Sequence, residues 1–207
     1  MQLVTLAVDA GAPQPLFVEF VNTLHWFEGA PIELIGSPAD LRSWLAERRL
    51  DLAPADAALA ELHALREHVR SATRALASGT RPEREDLQTL QAALASPGGS
   101  LALADAPSAE HPAARQPDAA SPELRLAFQT DAADAEVLAF RVALSLATFL
   151  VTGDQQRLKL CANPGCGFAF IDTSANNSRR WCYMRFCGNR FKVRAFRSRR
   201  VSHPPAT

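Results

Sequence analysis

The sequence predicts a mainly α-helical protein with a few short β-strands (α+β), with a helical N-terminal domain at 1–153 and a small C-terminal domain at 154–207. Three observations predict this class. Apolar residues recur at helical spacing in four segments before residue 95 and again at 131–152. They alternate as in strands at 101–103 and 124–128. All four cysteines of the chain fall within 161–187, in a segment too short to build a sizeable core of its own.

The first 50 residues are predicted to hold two helices and a strand. Apolar residues of the segment 17–24 fall on one face of a helix. The segment 32–35 is apolar enough for a short strand. The second helix has a clear start signal, because Ser37 can cap it, Pro38 takes the first helical position and Asp40 lies in the first turn.

Two further helices are predicted next. Residues 55–78 carry an apolar stripe with steps of three and four, and this helix should end before Gly79. Thr80 and Glu83 have the spacing of a capping box at the start of the following helix. The residues that this following helix is expected to bury are Leu87, Leu90 and Leu94.

In the rest of the N-terminal domain, the spacing of apolar residues changes from helical to alternating and then returns to helical. Alternation at 101–103 and 124–128 predicts two strands. The segment 106–121 between them is rich in Ala and Pro, which predicts a mobile loop rather than a domain boundary. Residues 131–152 are apolar on most sides of a helix, so this helix is expected to form the buried spine and to end at Gly153.

The four cysteines have the spacing of a metal site. Cys161 and Cys166 form one pair and Cys182 and Cys187 a second, with four residues inside each pair and fifteen between the pairs. Four thiolates can hold one Zn²⁺ tetrahedrally at about 2.3 Å each, and short pairs lose little loop entropy. Such a set leaves no open position, so the predicted zinc is structural. Two disulfides, or four unrelated core thiols, are the alternatives.

The start of the chain favours metal over disulfides. Residues 1–9 lack a basic segment and their apolar run stops at Asp9. No later stretch is expected to be long enough to cross a bilayer. We therefore expect a cytoplasmic protein with reduced thiols and no membrane contact, in which paired cysteines bind metal.

Charge is distributed unevenly, although the formal net charge of the chain is zero. Residues 151–207 contain eleven of the 22 Lys and Arg but only two of the 22 Asp and Glu, a net charge of +9, which leaves −9 for residues 1–150. A compact basic domain displaces counterions from phosphates, so the asymmetry predicts a nucleic-acid partner. A solvated basic face, or docking of an acidic protein, is the alternative.

The C-terminal domain is predicted to fold as a knuckle, a hairpin and a helix, similar to a treble clef. The segment 168–171 alternates as a strand, Asn177 or Ser178 can cap a short helical turn, and Trp181 can cover a core too small to stand without metal. A basic helix is expected after Cys187. The cations expected to contact nucleic acid are Arg179, Arg180, Arg185, Arg190, Lys192, Arg194, Arg197, Arg199 and Arg200.

The segment 161–200 closely resembles the CGNR zinc finger, a family of bacterial and especially actinobacterial proteins. Tyr183 departs from the small residue expected at its position, which alters local packing without touching the ligands. The matching features are the tetrapeptide Cys187-Gly-Asn-Arg190, the first Cys-x4-Cys, the strand ending at Asp172 and Ser174, the run Arg179-Arg-Trp-Cys182 and the basic tail.

The N-terminal region resembles the ABATE domain, which usually precedes this finger. The matching segments are 17–24, Phe-Val-Glu-Phe-Val-Asn-Thr-Leu, and 32–45, which begins Ile-Glu-Leu-Ile-Gly-Ser-Pro. With both ends matched, the resemblance covers nearly the whole chain. It implies a stress-induced transcription regulator, and it implies no catalytic activity.

Enzyme motifs are missing from the sequence, which has no Gly-rich phosphate loop, nucleophile elbow or His-Glu-x-x-His. His63 and His68 are off the spacing of a helical metal pair and are expected at the surface. A candidate small-ligand pocket is formed by Asn22, Thr23, His25 and Trp26. The alternative for this group is local hydrogen bonding at the edge of the core.

The predicted function is zinc-dependent DNA binding by a transcription regulator that responds to stress or to a ligand through its N-terminal domain. The alternatives are a zinc-stabilised RNA-binding protein, a protein-interaction adaptor and an N-terminal small-molecule enzyme. A small-molecule effector and a homodimer are further expectations, the second because one finger buries little surface.

Overall fold

The computed structural model describes residues 2–5, 14–27, 29–95, 97–105 and 124–193. Helices dominate these residues, with short strands in three small sheets, which confirms the predicted fold class. In chain order the elements are β1 (Gln2–Thr5), α1 (Leu16–Val21), β2 (Leu24–Phe27), β3 (Ala30–Glu33), α2 (Pro38–Glu47), α3 (Leu59–Ala77), α4 (Arg84–Ala95), β4 (Gly99–Asp105), β5 (Leu124–Thr130), α5 (Asp134–Thr152), β6 (Leu158–Leu160), β7 (Ala169–Ile171) and a π-helical turn (Met184–Gly188).

The main core lies between α1, α2, α3 and α5. The short helix α1 buries both of its phenylalanines completely. The ring centroid of Phe17 lies 5.5 Å from that of Phe149 on α5, and that of Phe20 lies 6.1 Å from Trp44 on α2. The N–H of Phe17 donates to Ser145 Oγ at 3.3 Å, so α5 satisfies one of the free donors in the first turn of α1.

Helix α5 is the predicted spine, and it also corrects one expectation. By length and composition alone it could cross a membrane, since it has 19 residues and a mean hydropathy of 1.7, so the expectation that no stretch was long enough is wrong. The core helix of a globular protein passes the same test. Seven side chains of α5 are buried, and the helix packs against α1, α3 and α4.

The largest sheet is antiparallel with the strand order β1-β5-β4. Strands β4 and β5 confirm the two strands predicted from alternation, whereas β1, with Gln2 opposite Thr130, was not predicted. The Phe128 ring stacks on that of Phe140 at 5.0 Å, which joins this sheet to α5. The loop predicted near 106–121 lies outside the described residues.

Helix starts and ends follow local hydrogen bonding. Ser37 Oγ accepts from the Asp40 N–H at 3.2 Å, which confirms the predicted cap of α2. Helix α3 ends before Gly79 as predicted. The capping box at Thr80 is wrong, because Thr80 Oγ1 donates to the Ala75 carbonyl at 3.0 Å and so serves the end of α3 instead of the start of α4.

The first predicted helix is too long at its end. Helix α1 stops at Val21, and Leu24 already belongs to β2, which pairs with β3 in an antiparallel hairpin. The strand predicted at 32–35 is β3 and begins two residues earlier, at Ala30. Gly29 has a φ of +86° in the connecting turn, a backbone conformation that glycine adopts without steric cost.

The C-terminal hairpin of β6 and β7 packs against the N-terminal helices. Leu158 of β6 and Ala169 of β7 are buried in the main core with side chains of α1, α3 and α5. A second, smaller core contains the four cysteines with Phe170 and Trp181. The finger is thus joined to the larger domain through a shared core.

Two local predictions for the finger differ from the structure. The short helical turn after Asn177 or Ser178 is wrong: residues 178–183 have no regular secondary structure, and Asn177 takes a left-handed φ of +49°. The basic helix is present, but it begins before Cys187 as the π-helical turn and continues to Val193 within the described residues.

Candidate metal centre and basic surface

The four cysteine side chains converge in one buried cluster. Their Sγ atoms all lie within 4.8 Å of one another, and those of Cys166 and Cys187 are each 3.6 Å from Cys182 Sγ. Four sulfurs bound tetrahedrally at about 2.3 Å from a zinc ion would be about 3.8 Å apart. The observed separations fit this geometry. They are much longer than the ~2.05 Å of a disulfide bond, and the four cysteines are unpaired.

Backbone hydrogen bonds hold the two cysteine pairs in place. The Cys161 N–H donates to the Phe168 carbonyl at 2.8 Å and the Cys166 N–H to the Asn163 carbonyl at 3.0 Å, which closes the first loop. The Cys187 N–H donates to the Tyr183 carbonyl at 3.0 Å inside the π-helical turn. A bond of 2.8 Å from the Ala162 N–H to the Arg180 carbonyl joins the two halves.

The thiols influence one another's ionisation. Hydrogen bonds from Cys166 and Cys182 lower the pKa of the Cys161 thiol. The bond to Cys161 raises the pKa of the Cys182 thiol above its usual range. Asn163 Nδ2 donates to Cys187 Sγ at 3.6 Å, an N–H···S contact from the first cysteine loop to the second pair. A metal that binds all four sulfurs therefore displaces protons, so its affinity rises with pH.

Asp172 organises the chain between the two cysteine pairs. It is fully buried, and its carboxylate accepts from Lys159 Nζ at 2.7 Å, from the Ser174 N–H and hydroxyl at 2.9 and 2.6 Å, and from the Arg179 N–H at 2.8 Å. Burial alone would raise the pKa of Asp172, but these hydrogen bonds lower it well below its usual range. Asp172 is therefore ionised, and its carboxylate holds this part of the chain together through hydrogen bonds.

The first cysteine loop rests directly on the N-terminal domain. Gly167 has a φ of +67°, and a Cβ there would lie 3.0 Å from Trp26 Cε3. The Trp26 N–H donates to the Cys166 carbonyl at 3.0 Å. Asn22 makes two hydrogen bonds of 2.9 Å to the backbone of Ala169 in β7, one from its Nδ2 to the carbonyl and one to its Oδ1 from the N–H.

Comparison with protein families decides the identity of the chain. The model of ABATE, a family described as "Putative stress-induced transcription regulator", matches residues 14–153. This chain belongs to the ABATE family. The model of the CGNR zinc finger matches residues 157–200 and includes the four clustered cysteines. Neither is an enzyme family. A comparison with curated proteins gives no match.

The predicted nucleic-acid contacts of this ABATE protein have different surroundings. Arg180, Arg185 and Lys192 are exposed. Arg190 is half-buried, with its guanidinium 4.0 Å from the ring centroid of Phe27 in β2. The four other predicted cations that lie outside the described residues are Arg194, Arg197, Arg199 and Arg200.

Arg179 differs from the other predicted contacts because its guanidinium serves the finger itself. Its Nε donates to the Trp181 carbonyl at 2.9 Å and its Nη2 to the Cys182 carbonyl. The guanidinium also lies 4.6 Å from the ring centroid of Phe170. Arg179 thus supports the backbone of Cys182, one of the four candidate metal ligands.

The four candidate pocket residues make contacts within the protein. Asn22 and Trp26 bond to the finger as described, and Nδ1 of half-buried His25 lies 3.0 Å from the Asn22 carbonyl. Thr23 Oγ1 donates to the Phe20 carbonyl at 2.7 Å and accepts from a buried arginine of α3 at 2.9 Å. These contacts give the group a role in joining the two domains, and a ligand pocket there stays a prediction.

The sequence did not single out several residues that support this junction. Arg66 of α3 is buried, donates to Thr23, and holds Glu33 of β3 with two bonds of 2.6 Å. Burial raises the pKa of Glu33, but the bonds from Arg66 more than offset this and lower it overall. Arg70 Nη2 donates to the carbonyls of Val21 and Leu24 at 2.6 and 2.5 Å. The signal available in the sequence was the pair Arg66 and Arg70, four residues apart and each next to an apolar residue of the α3 stripe.

The two histidines of α3 are less exposed than predicted. His63 Nε2 lies 2.9 Å from the Ile35 carbonyl, and His68 Nδ1 lies 3.0 Å from the carboxylate of buried Asp86 in α4. Both rings are half-buried. Both are therefore still partly at the surface as expected, and each also has a partner in another element.

Proposed function

We propose that this ABATE-family protein is a zinc-dependent, DNA-binding transcription regulator. One structural Zn²⁺ bound by Cys161, Cys166, Cys182 and Cys187 would fix the two loops of the finger by four bonds and would perform no chemistry. The fit of the sulfur separations to tetrahedral zinc supports this assignment.

The observation that carries the proposal is the surface next to the second cysteine pair. Arg180, Arg185 and Lys192 are exposed on either side of Cys182 and Cys187. The sequence from 173 to 207 contains no Asp or Glu, so no acidic residue of this segment neutralises these cations. Cations held on a rigid frame contact phosphates at little entropic cost, and their number sets the salt dependence of binding.

The N-terminal domain is proposed to receive the signal. Asn22 and Trp26 connect the region between α1 and β2 to the backbone of Ala169 and Cys166 in the finger. A stress signal or small-molecule effector that shifts this region would change the position of the first cysteine loop. A homodimer would place two basic surfaces on one DNA and increase the contact area.

The test is a titration of fluorescein-labelled duplex DNA with the zinc-loaded full chain at several salt concentrations. We expect log affinity to fall linearly with log salt, and the triple variant Arg180→Ala, Arg185→Ala, Lys192→Ala to reduce the slope by about 3. Arg42→Ala is the control, because this exposed arginine lies on α2 and pairs with Asp56. A triple variant with the affinity and slope of the unmodified chain would refute the proposal.

RNA binding and protein docking are separated in the same experiment. Equimolar unlabelled RNA of the same sequence should compete less well than DNA, and tighter competition by RNA would support the RNA-binding alternative. Absence of binding to either nucleic acid, with zinc present, would favour the adaptor alternative, in which the basic surface docks an acidic protein.

A further inference from the structure

Four consecutive exposed residues lie between the last two cysteines, where they form the start of the π-helical turn. Tyr183, Met184 and Phe186 are 55%, 55% and 47% exposed, and Arg185 between them is exposed as well. We call residues 183–186 the aromatic tip. Three large apolar side chains next to one another in water are unfavourable by roughly 25 cal/mol per Å² of apolar area, so such a patch indicates a contact surface.

Backbone and ring contacts hold the aromatic tip in place. It lies between Cys182 and Cys187, and the hydrogen bond from the Cys187 N–H to the Tyr183 carbonyl closes it at both ends. The Tyr183 ring lies edge-to-face with Phe168 at 6.0 Å and with Phe186 at 6.4 Å. In an edge-to-face pair the edge of one ring covers one face of the other, so each pair leaves at least one face of each ring open for stacking.

Cations surround the aromatic tip. The Arg185 guanidinium lies 5.6 Å from the ring centroid of Phe186, and that of Arg180 lies 5.4 Å from the ring centroid of Trp181. With no acidic residue from 173 onwards, the partner must combine negative charge with flat apolar faces. Unpaired nucleic-acid bases on a phosphate backbone have both properties, whereas a base-paired duplex hides its base faces.

We infer that the aromatic tip binds unpaired DNA bases by stacking on Tyr183 and Phe186, while Arg180 and Arg185 contact the flanking phosphates. This inference rests on the proposed DNA binding and narrows the substrate to single-stranded or locally melted DNA. Stacking on one aromatic side chain contributes about 1–3 kcal/mol per base, which is about 5- to 150-fold in affinity.

The test compares three labelled DNAs of equal length, a single strand, a duplex and a duplex with a central unpaired bubble, each with the zinc-loaded full chain. We expect the single strand and the bubble to bind more tightly than the duplex. The double variant Tyr183→Ala, Phe186→Ala should lose at least about tenfold in affinity for both, with an unchanged salt slope. Arg185→Ala should instead weaken all three DNAs and reduce the slope by about 1.

Two controls keep the result interpretable. Val151→Ala removes an apolar side chain that is 86% exposed near the end of α5, outside the aromatic tip, and should leave every affinity unchanged. Phe186→Trp keeps a stacking surface, so this variant should bind the single strand as tightly as the unmodified chain does. Zinc content equal to that of the unmodified chain shows that each variant is folded.

A direct probe is also available, because Tyr183 is the only tyrosine in the chain. Incorporation of 3-fluorotyrosine labels this position alone, and the ¹⁹F resonance should shift on addition of the single strand but not of the duplex.

The outcomes separate this inference from the proposed function. Duplex binding with no preference for unpaired bases, or an unaffected double variant, overturns the inference and leaves DNA binding intact. Failure of all three DNAs to bind overturns both. Binding of the aromatic tip to anionic phospholipid vesicles in place of DNA would also overturn the inference and assign the surface to a membrane.

Discussion

Replacing Asn22 with alanine tests whether the two domains fold as one unit. Asn22 is 6% exposed, and its side-chain amide makes two hydrogen bonds of 2.9 Å with the backbone of Ala169, which is 2% exposed. The substitution removes both partners at once. It leaves the Ala169 N–H and carbonyl buried, on the side of β7 that faces away from β6.

The expected loss in free energy of unfolding follows from these two buried groups. Leaving one buried polar group without a partner costs about 1–3 kcal/mol, so two such groups should lower the free energy of unfolding by about 3 kcal/mol once some water enters. For a chain of 207 residues, each kcal/mol shifts Tm by about 2–4 °C, so the expected decrease is about 6–12 °C.

The assay is urea unfolding of the zinc-loaded protein, followed by circular dichroism for the helices and by tryptophan fluorescence. Asn22→Asp should also destabilise at neutral pH, because it keeps an acceptor for the N–H but places a carboxylate oxygen against the Ala169 carbonyl. Asn189→Ala, at an exposed finger position, is the matched control and should change stability by less than about 0.5 kcal/mol. An Asn22→Ala variant as stable as this control would refute the shared-unit reasoning.

Three further changes probe the finger. Asp172→Asn should destabilise it: the folded-state pKa of Asp172 is lowered, so its carboxylate stabilises the fold above the unfolded pKa of about 3.9, and this contribution fades as pH falls below that value. Urea unfolding between pH 3 and 7 should therefore show a weaker pH dependence in the variant. Gly167→Ala should cost at least about 1–2 kcal/mol, measured by thermal unfolding, because a left-handed φ and the Trp26 ring both oppose a side chain. Cys187→Ser should release the metal and expose amides of 178–193 to hydrogen exchange, while the strands 158–160 and 169–171 stay protected by the main core.

Matched control variants test whether each effect has the cause given for it. Asp154→Asn alters a carboxylate that is 54% exposed, and it should leave the acid dependence nearly unchanged. Gly165→Ala lies in the same cysteine loop with nothing within 4 Å of the new Cβ, and it should be almost neutral. If Gly165→Ala costs as much as Gly167→Ala, the contact with Trp26 is not the cause. Loss of protection at 158–160 and 169–171 in Cys187→Ser would contradict the shared core.

Local patterns predicted the elements whose determinants are close in sequence. The cysteines could be assigned to one site because only four residues separate the members of each pair. The cap at Ser37 could be predicted because its donor and acceptor are three residues apart. The helical spacing of apolar residues similarly located α3 and α5 to within a few residues.

Long-range partners account for most of what the sequence could not predict. Asn22 was predicted either to line a ligand pocket or to form local hydrogen bonds at the core edge, and the partner that the structure shows lies 147 residues away in β7. Arg179 was grouped with the surface cations, and only the folded finger shows that it bonds to the carbonyls of Trp181 and Cys182. Thr80 had the right spacing for a cap, yet the end of α3 competed for its hydroxyl.

The most direct test of the central claim is the DNA affinity of one protein sample before zinc removal, after chelation and after zinc is restored, with metal content measured at each stage. We predict one zinc per chain, loss of salt-dependent DNA binding on chelation, and recovery when one equivalent is returned. DNA affinity that persists unchanged without metal would contradict the claim that four cysteines organise the basic surface through zinc.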